Sequence, residues 1–167
     1  EALDRMFEQK AWHANIQYDK PADQAFYRPS TDTIVLPMKE QFKLGQTPEE
    51  IYHDGMEYYS TALHEMAHST GHESRLDRKF GAQGTDNYAH EELIAEMTSA
   101  LVGSTMGFDR KILENNANYL SGWLSRLRDK PETITTIMTD VGKASDMIME
   151  KIDEQRIALN QTPLKAG

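Results

Sequence analysis

The pattern of apolar and polar positions divides the chain into a short mixed front and a long helical remainder. Leu3, Met6 and Phe7 fall on one side of a helix over residues 2–10. Trp12 to Tyr18 alternates loosely and reads as a first strand, and Pro21 sits in a turn over Asp19 to Asp23. Ala25-Phe26-Tyr27 and Thr33-Ile34-Val35-Leu36 flank the turn-forming Arg28-Pro29-Ser30-Thr31-Asp32, which predicts a β-hairpin whose second strand ends at Pro37. Met38 to Gln46 is a polar connection. Thr47 followed by Pro48 is a helix start, a hydroxyl cap before a residue with helical φ built in. That helix either runs through Gly55 or breaks there before a second stretch, Tyr58 to Ser69. In this stretch Tyr59, Ala62, Leu63, Met66 and Ala67 recur at spacings of three and four. Gly71 is its natural stop, being able to take the left-handed conformation.

Residues 72–86 are rich in Gly, Arg, Ser and Asp and read as a loop. Tyr88 to Met106 is the next helix, with Leu93, Ile94, Met97, Ala100 and Leu101 inward and Gly107 as its stop. Ile112 to Arg128 follows, with Tyr119, Leu120, Trp123, Leu124 and Leu127 as its apolar positions. Asp129-Lys130-Pro131 interrupts, and Pro131 opens a last helix to about Ala158, with Gly142 a point where it could kink. The fold class expected is α+β, mainly helical, with a small antiparallel sheet near the N-terminus. A single domain over 1–167 would hold a strand-containing part at about 10–45 and a helical part at about 48–160.

Chemistry concentrates on the stretch from Tyr58 to Ser69. His64-Glu65-Met66-Ala67-His68 is an H-E-x-x-H motif, and on a helix its two histidines share one face. Two neutral ring nitrogens can then meet one cation, with Glu65 beside them as a base for an activated water. A catalytic site of this kind needs a third protein ligand. The longer pattern H-E-x-x-H-x-x-G-x-x-H fails, because Ser74 occupies the last position and His72 comes two residues early. A Glu on the following helix is the other source. Glu92 and Glu96 lie four apart on one face, so one can ligate while the other accepts a hydrogen bond from a ligand histidine. In glutamate-type zinc peptidases the first acid of such a pair ligates, which makes Glu92 the ligand and Glu96 its supporter. His72, Arg75, Tyr88 and His90 are within sequence reach as substrate or oxyanion contacts, Arg75 equally as a structural partner of an acidic residue. By position, Thr33 to Leu36 is the candidate edge strand for binding substrate backbone.

Composition narrows the classes. The chain has no Cys, so disulfides are excluded and a metal site must use His and carboxylates. Net charge is −9, from 27 acidic against 18 basic residues, which disfavours direct nucleic-acid binding by this segment. No apolar run approaches the length of a membrane span, and Glu1-Ala2-Leu3-Asp4-Arg5 lacks the basic start and apolar centre of a signal peptide, so a cytoplasmic location is the expectation. Beginning at Glu1 without an initiator Met, the chain reads as a piece of a longer one.

The run from Tyr58-Tyr59 through His64-Glu65-x-x-His68-Ser69-Thr70-Gly71-His72-x-x-Arg75-Leu76-x-Arg78 to Tyr88-Ala89-x-Glu91-Glu92-Leu93-x-Ala95-Glu96 is longer than the bare motif. It resembles the zincin-like metallopeptidase domain of ArdC-type antirestriction proteins and related polyvalent proteins of phages and mobile elements. The flanking Ala25-Phe26-Tyr27, Asp32-Thr33-Ile34-x-Leu36-Pro37 and Asn118-Tyr119-Leu120-x-x-Trp123-Leu124 fit the same pattern. The resemblance implies a zinc-dependent fold with His64, His68 and a downstream Glu as ligands. It also implies a setting on conjugative or phage DNA and a neighbouring domain that binds single-stranded DNA. Two functions then stand open: zinc-dependent peptide hydrolysis, and a zinc-stabilised antirestriction or interaction module without catalysis.

Overall fold

A computed structural model describes residues 1–127 and 131–165, with the side chains of 123, 126 and 127 excepted. The expected apolar positions Trp123 and Leu127, and the helix end at Arg128 with Asp129-Lys130, lie outside the described residues. In chain order the elements are α1 (Ala2–Glu8), β1 (Asn15–Gln17), β2 (Phe26–Arg28), β3 (Thr33–Val35), α2 (Pro48–Thr70), α3 (Asp86–Met106), α4 (Arg110–Leu127) and α5 (Pro131–Ala158), with short 3-10 turns at Pro29–Thr31 and Lys39–Phe42.

The sheet is mixed, where an antiparallel one was expected. β2 pairs antiparallel with β3 as the hairpin requires, but β1 pairs parallel with the far side of β3, giving the order β1-β3-β2. β3 is therefore the central strand and cannot take up a substrate strand, which corrects its expected role as an edge. Ile34 and Leu36, two apart and so on one face of the strand, are both buried in the core, while Val35 on the other face is half-buried. The edges among the described residues are β1 and β2.

α2 starts where the sequence says it should. The Thr47 hydroxyl accepts from the Glu50 N–H at 3.2 Å, and the Glu50 carboxylate answers the Thr47 N–H at 3.2 Å. It then runs through Gly55 without a break, carrying the histidines near the far end of a rigid rod. Gly71 does stop the helix, but with φ −83° rather than left-handed. A side chain is excluded there for another reason: a Cβ would lie 2.8 Å from the Arg78 guanidinium. At the end of α3 the expected left-handed stop is found, Gly107 having φ 85°.

Leu3, Met6 and Phe7 of α1 join Ile34 of β3 and the adjoining Leu36, Leu63, Met66 and Ala67 of α2, Ala95 and Val102 of α3, and Ile148 and Ile152 of α5 in one core. α3 lies against α2, α4 and α5. Its first half is consequently buried on nearly every side, while later only one face is covered. Leu101, expected inward, is 50 % exposed, and its neighbour Val102 takes the buried position. α5 passes Gly142 as an uninterrupted helix.

One ion pair ties the sheet to the end of α2. Asp32 closes the hairpin turn with φ 49°, a conformation Asp tolerates better than most residues. Its carboxylate receives both terminal nitrogens of Arg75, whose Nε donates to the Ser69 carbonyl at 2.8 Å. The Tyr27 hydroxyl donates to the same carboxylate at 2.8 Å. Arg75→Ala leaves these acceptors unmatched in a partly buried setting, and thermal unfolding is expected to show a loss of about 2 kcal/mol.

Candidate metal centre

α2 and α3 pack against each other, and the buried Ser60 and Ser99 meet between them. The Ser99 hydroxyl donates to the Ser60 carbonyl at 3.0 Å, which holds the two backbones close. That approach brings Glu92 of α3 over the histidine face of α2. His64 Nε2 lies 3.1 Å from His68 Nε2, and Glu92 places one carboxylate oxygen 3.3 Å from the first and the other 3.2 Å from the second. Three ligands of a tetrahedral ion bound at ~2.0–2.1 Å would stand roughly 3.3 Å apart. The two nitrogens are near that spacing, one Glu92 oxygen stands near it from each, and one ligand atom from each residue lies within 4.8 Å of the others, close enough to share an ion.

The outer nitrogens are equally well held. His64 Nδ1 is 2.9 Å from Glu96 and His68 Nδ1 is 2.9 Å from Glu91. With each Nδ1–H donated to a carboxylate, both Nε2 lone pairs point into the same small space. Two facing lone pairs repel, and a cation between them turns that repulsion into ligation. The donor set of two imidazoles and a carboxylate therefore fits a zinc-type ion.

The electrostatics agree. Burial opposes charge on His64, yet its hydrogen bonds to Glu92 and Glu96 push it up to about 10. His68 is likewise raised, the bonds to Glu91 and Glu92 overcoming its burial. Glu92 is held well below the usual carboxylate range despite its own burial, because both histidines bond to it. Positive charge is favoured at this point whatever carries it. Glu65 behaves in the opposite way: burial pushes its carboxyl up, and the neighbouring Glu92 charge adds to this.

Glu91 was not singled out by motif reasoning, although it stands next to Glu92. Arg78 bonds it through Nε at 2.9 Å and through Nη2 at 3.0 Å, and also reaches the Thr70 hydroxyl and the Ala67 carbonyl. Both side chains are almost wholly buried. The chain Arg78–Glu91–His68 thus fixes the second histidine as Glu96 fixes the first. A run of charged residue types on an otherwise buried helix face is the signal that could have found it. Arg78→Ala strands a buried carboxylate, and a loss of about 3 kcal/mol in denaturant unfolding is expected. Glu96→Gln leaves the fold in place and weakens the hold on His64; metal affinity is expected to fall roughly 10–100-fold by competitive chelator titration.

The remaining candidates separate. His64, Glu65, His68, Glu92 and Tyr88 line one cleft of about 460 Å³, together with Ala25, Phe26, Tyr27 and Pro29 at β2, Phe80 of the following loop and Tyr119 of α4. Burial, with the Glu92 and Glu65 charges close by, raises the Tyr88 hydroxyl. His72 is instead 2.7 Å from the Ser74 hydroxyl and outside the cleft lining. Arg75 is committed to Asp32 and Ser69. His90 faces Asp140 at 3.9 Å.

The profile of the zincin-like metallopeptidase family matches residues 1–139. The chain belongs to this zincin-like metallopeptidase family. Relatives with this sequence pattern include two proteins of Escherichia coli named DNA primase TraC. One is 40% identical over 128 residues, 76% of this chain and 8% of the relative. The other is 39% identical over 138 residues, 80% of this chain and 12% of the relative. Two crystal structures of the antirestriction protein ArdC from plasmid R388 share the fold. The Mn(II)-bound form has a TM-score of 0.65 at 31% identity and the metal-free form 0.62 at 32%. Each comparison covers 91% of this chain and about half of ArdC, 52% and 50%. The chain thus spans only part of the length of its relatives. Among the described residues, no helix of this zincin-like domain is long and apolar enough to cross a membrane.

Proposed function

We propose that the chain is a zinc-dependent peptidase domain, with His64, His68 and Glu92 as ligands, Glu65 as the base, and Glu96 and Glu91 orienting the histidines. The observation that carries this reading is the meeting of two imidazole nitrogens 3.1 Å apart with a carboxylate whose oxygens reach one each, beside the buried Glu65 in one open cleft. Two imidazoles and one carboxylate suit zinc; the ArdC structure described as Mn(II)-bound supports a divalent ion in a protein of this fold. Bound zinc supplies Lewis acidity, which acidifies water and polarises a carbonyl. Glu65 takes the proton of the attacking water and hands it to the leaving amine, a task helped by its raised proton affinity. The Tyr88 hydroxyl, one of three tyrosine hydroxyls lining the cleft, is the donor assigned to the oxygen that gains negative charge. The peptide backbone lies along β2, the sheet edge that borders the cleft.

The domain would act inside a larger cytoplasmic protein of a mobile element, beside a domain that binds single-stranded DNA. The TraC and ArdC relatives support that setting. The net charge of −9 favours one other reading, an acidic antirestriction module that keeps zinc only for stability. The test is digestion of a peptide library by the zinc-loaded protein, read by mass spectrometry against a Glu65→Gln control. Cleavage by the native protein alone supports the peptidase; no cleavage by either, with antirestriction intact in both, supports the acidic module.

A further inference from the structure

The walls of the cleft define what can lie in it. Phe26 and Tyr27 of the β2 edge form one side, and Tyr27 meets Phe80 edge-on at 6.1 Å between ring centres. Across from them Tyr119 of α4 lies edge-on to His64 at 6.5 Å, with 47 % of its surface exposed. Ala25 and Pro29 complete an apolar rim. Among the described residues no Lys or Arg lines the cleft, whose acidic members are Glu65, Glu91 and Glu92. Tyr27 is not free to swing away, because its hydroxyl is bonded to Asp32, itself clamped by Arg75.

An aromatic cleft of this size beside a metal centre can cover one bulky flat side chain, and among the described residues its walls away from the metal offer an acidic one only carboxylates and aromatic rings. We infer that the cleft selects polypeptide segments carrying an aromatic side chain next to the bond at the metal, and rejects segments with an acidic residue there. Phe80 and Tyr119 are the specificity-determining residues: they approach from a loop and a helix outside the metal-bearing α2 and α3, so they can change without altering the ligands. The inference rests on the peptidase reading for the orientation of the segment, but recognition can be measured without turnover.

The experiment uses the zinc-loaded Glu65→Gln protein and short capped peptides of Ala, Gly and Ser with a central Phe, Ala or Asp. Calorimetry is expected to rank Phe above Ala by roughly 10–100-fold, from burial of one aromatic ring, with Asp weakest. Phe80→Ala and Tyr119→Ala, added singly to the Glu65→Gln background, should each narrow the Phe-to-Ala ratio by about fivefold or more. Zinc content is measured in both and should be unchanged. Equal affinity for the Phe and Asp peptides, or a ratio unmoved in both variants, would overturn the inference. The same peptides given to the native protein separate the two ideas: preferential binding without cleavage removes the peptidase reading and leaves the recognition standing.

Discussion

Glu65→Gln is expected to lower kcat for peptide cleavage by about a thousandfold while leaving zinc content and unfolding temperature at native values. The reasoning is local. Gln keeps the shape of the buried side chain, 8 % exposed in the cleft, but cannot accept and return a proton. It also removes a carboxylate that burial and the Glu92 charge already disfavour, so no loss of stability should accompany the loss of rate. The measurement is kcat on a fluorogenic peptide, beside metal content and thermal melting of the same sample. A variant that still cleaves at a tenth of the native rate would require another base. A variant that loses zinc as well would mean that Glu65 is part of the ligand set.

The second large effect concerns the ligands. Glu92→Ala removes the carboxylate that, among the described residues, reaches both Nε2 atoms, at 3.3 and 3.2 Å, and on the proposed assignment leaves two ligands where a catalytic zinc needs three. Zinc affinity should weaken on the order of a thousandfold. On the proposed assignment zinc binds the folded chain and not the unfolded one, so at about 100 times Kd it should stabilise the native protein by ~2.7 kcal/mol, or roughly 5–10 °C in Tm. A chelator should therefore lower the Tm of the native protein by that amount and leave the Tm of Glu92→Ala almost unchanged. Glu96→Gln should fall between them. If Glu96→Gln proved more damaging to affinity than Glu92→Ala, the two acids would have to exchange roles.

Much of this arrangement could be read from the sequence because helix geometry is local. His64 and His68 are four apart, so a helix alone sets them together. Glu92 and Glu96 are likewise a local pair, and only the sign of their crossing with α2 had to come from packing. The cap at Thr47, the stop at Gly107 and the buried faces of α1 and α2 follow from rules that need no tertiary knowledge. What could not be read depends on distant partners. Strand order is an example: β3 is central because β1 returns to it in parallel, a contact that hairpin reasoning does not foresee. Gly71 is another, since its missing side chain answers Arg78 rather than its own backbone angle. Leu101 faces outward because α3 is covered on different sides along its length. Glu91 and Arg78, both buried, could be understood only once the loop was seen folded back onto α2 and α3.

The most direct test of the metal centre is native mass spectrometry of the chain after zinc loading and buffer exchange, with His64→Ala measured in parallel. One zinc per native chain and none in His64→Ala is the expected result, with both proteins showing the same helical circular dichroism. A native chain that stays zinc-free, or a His64→Ala chain that keeps a full equivalent, would contradict the assignment of His64, His68 and Glu92 as its ligands.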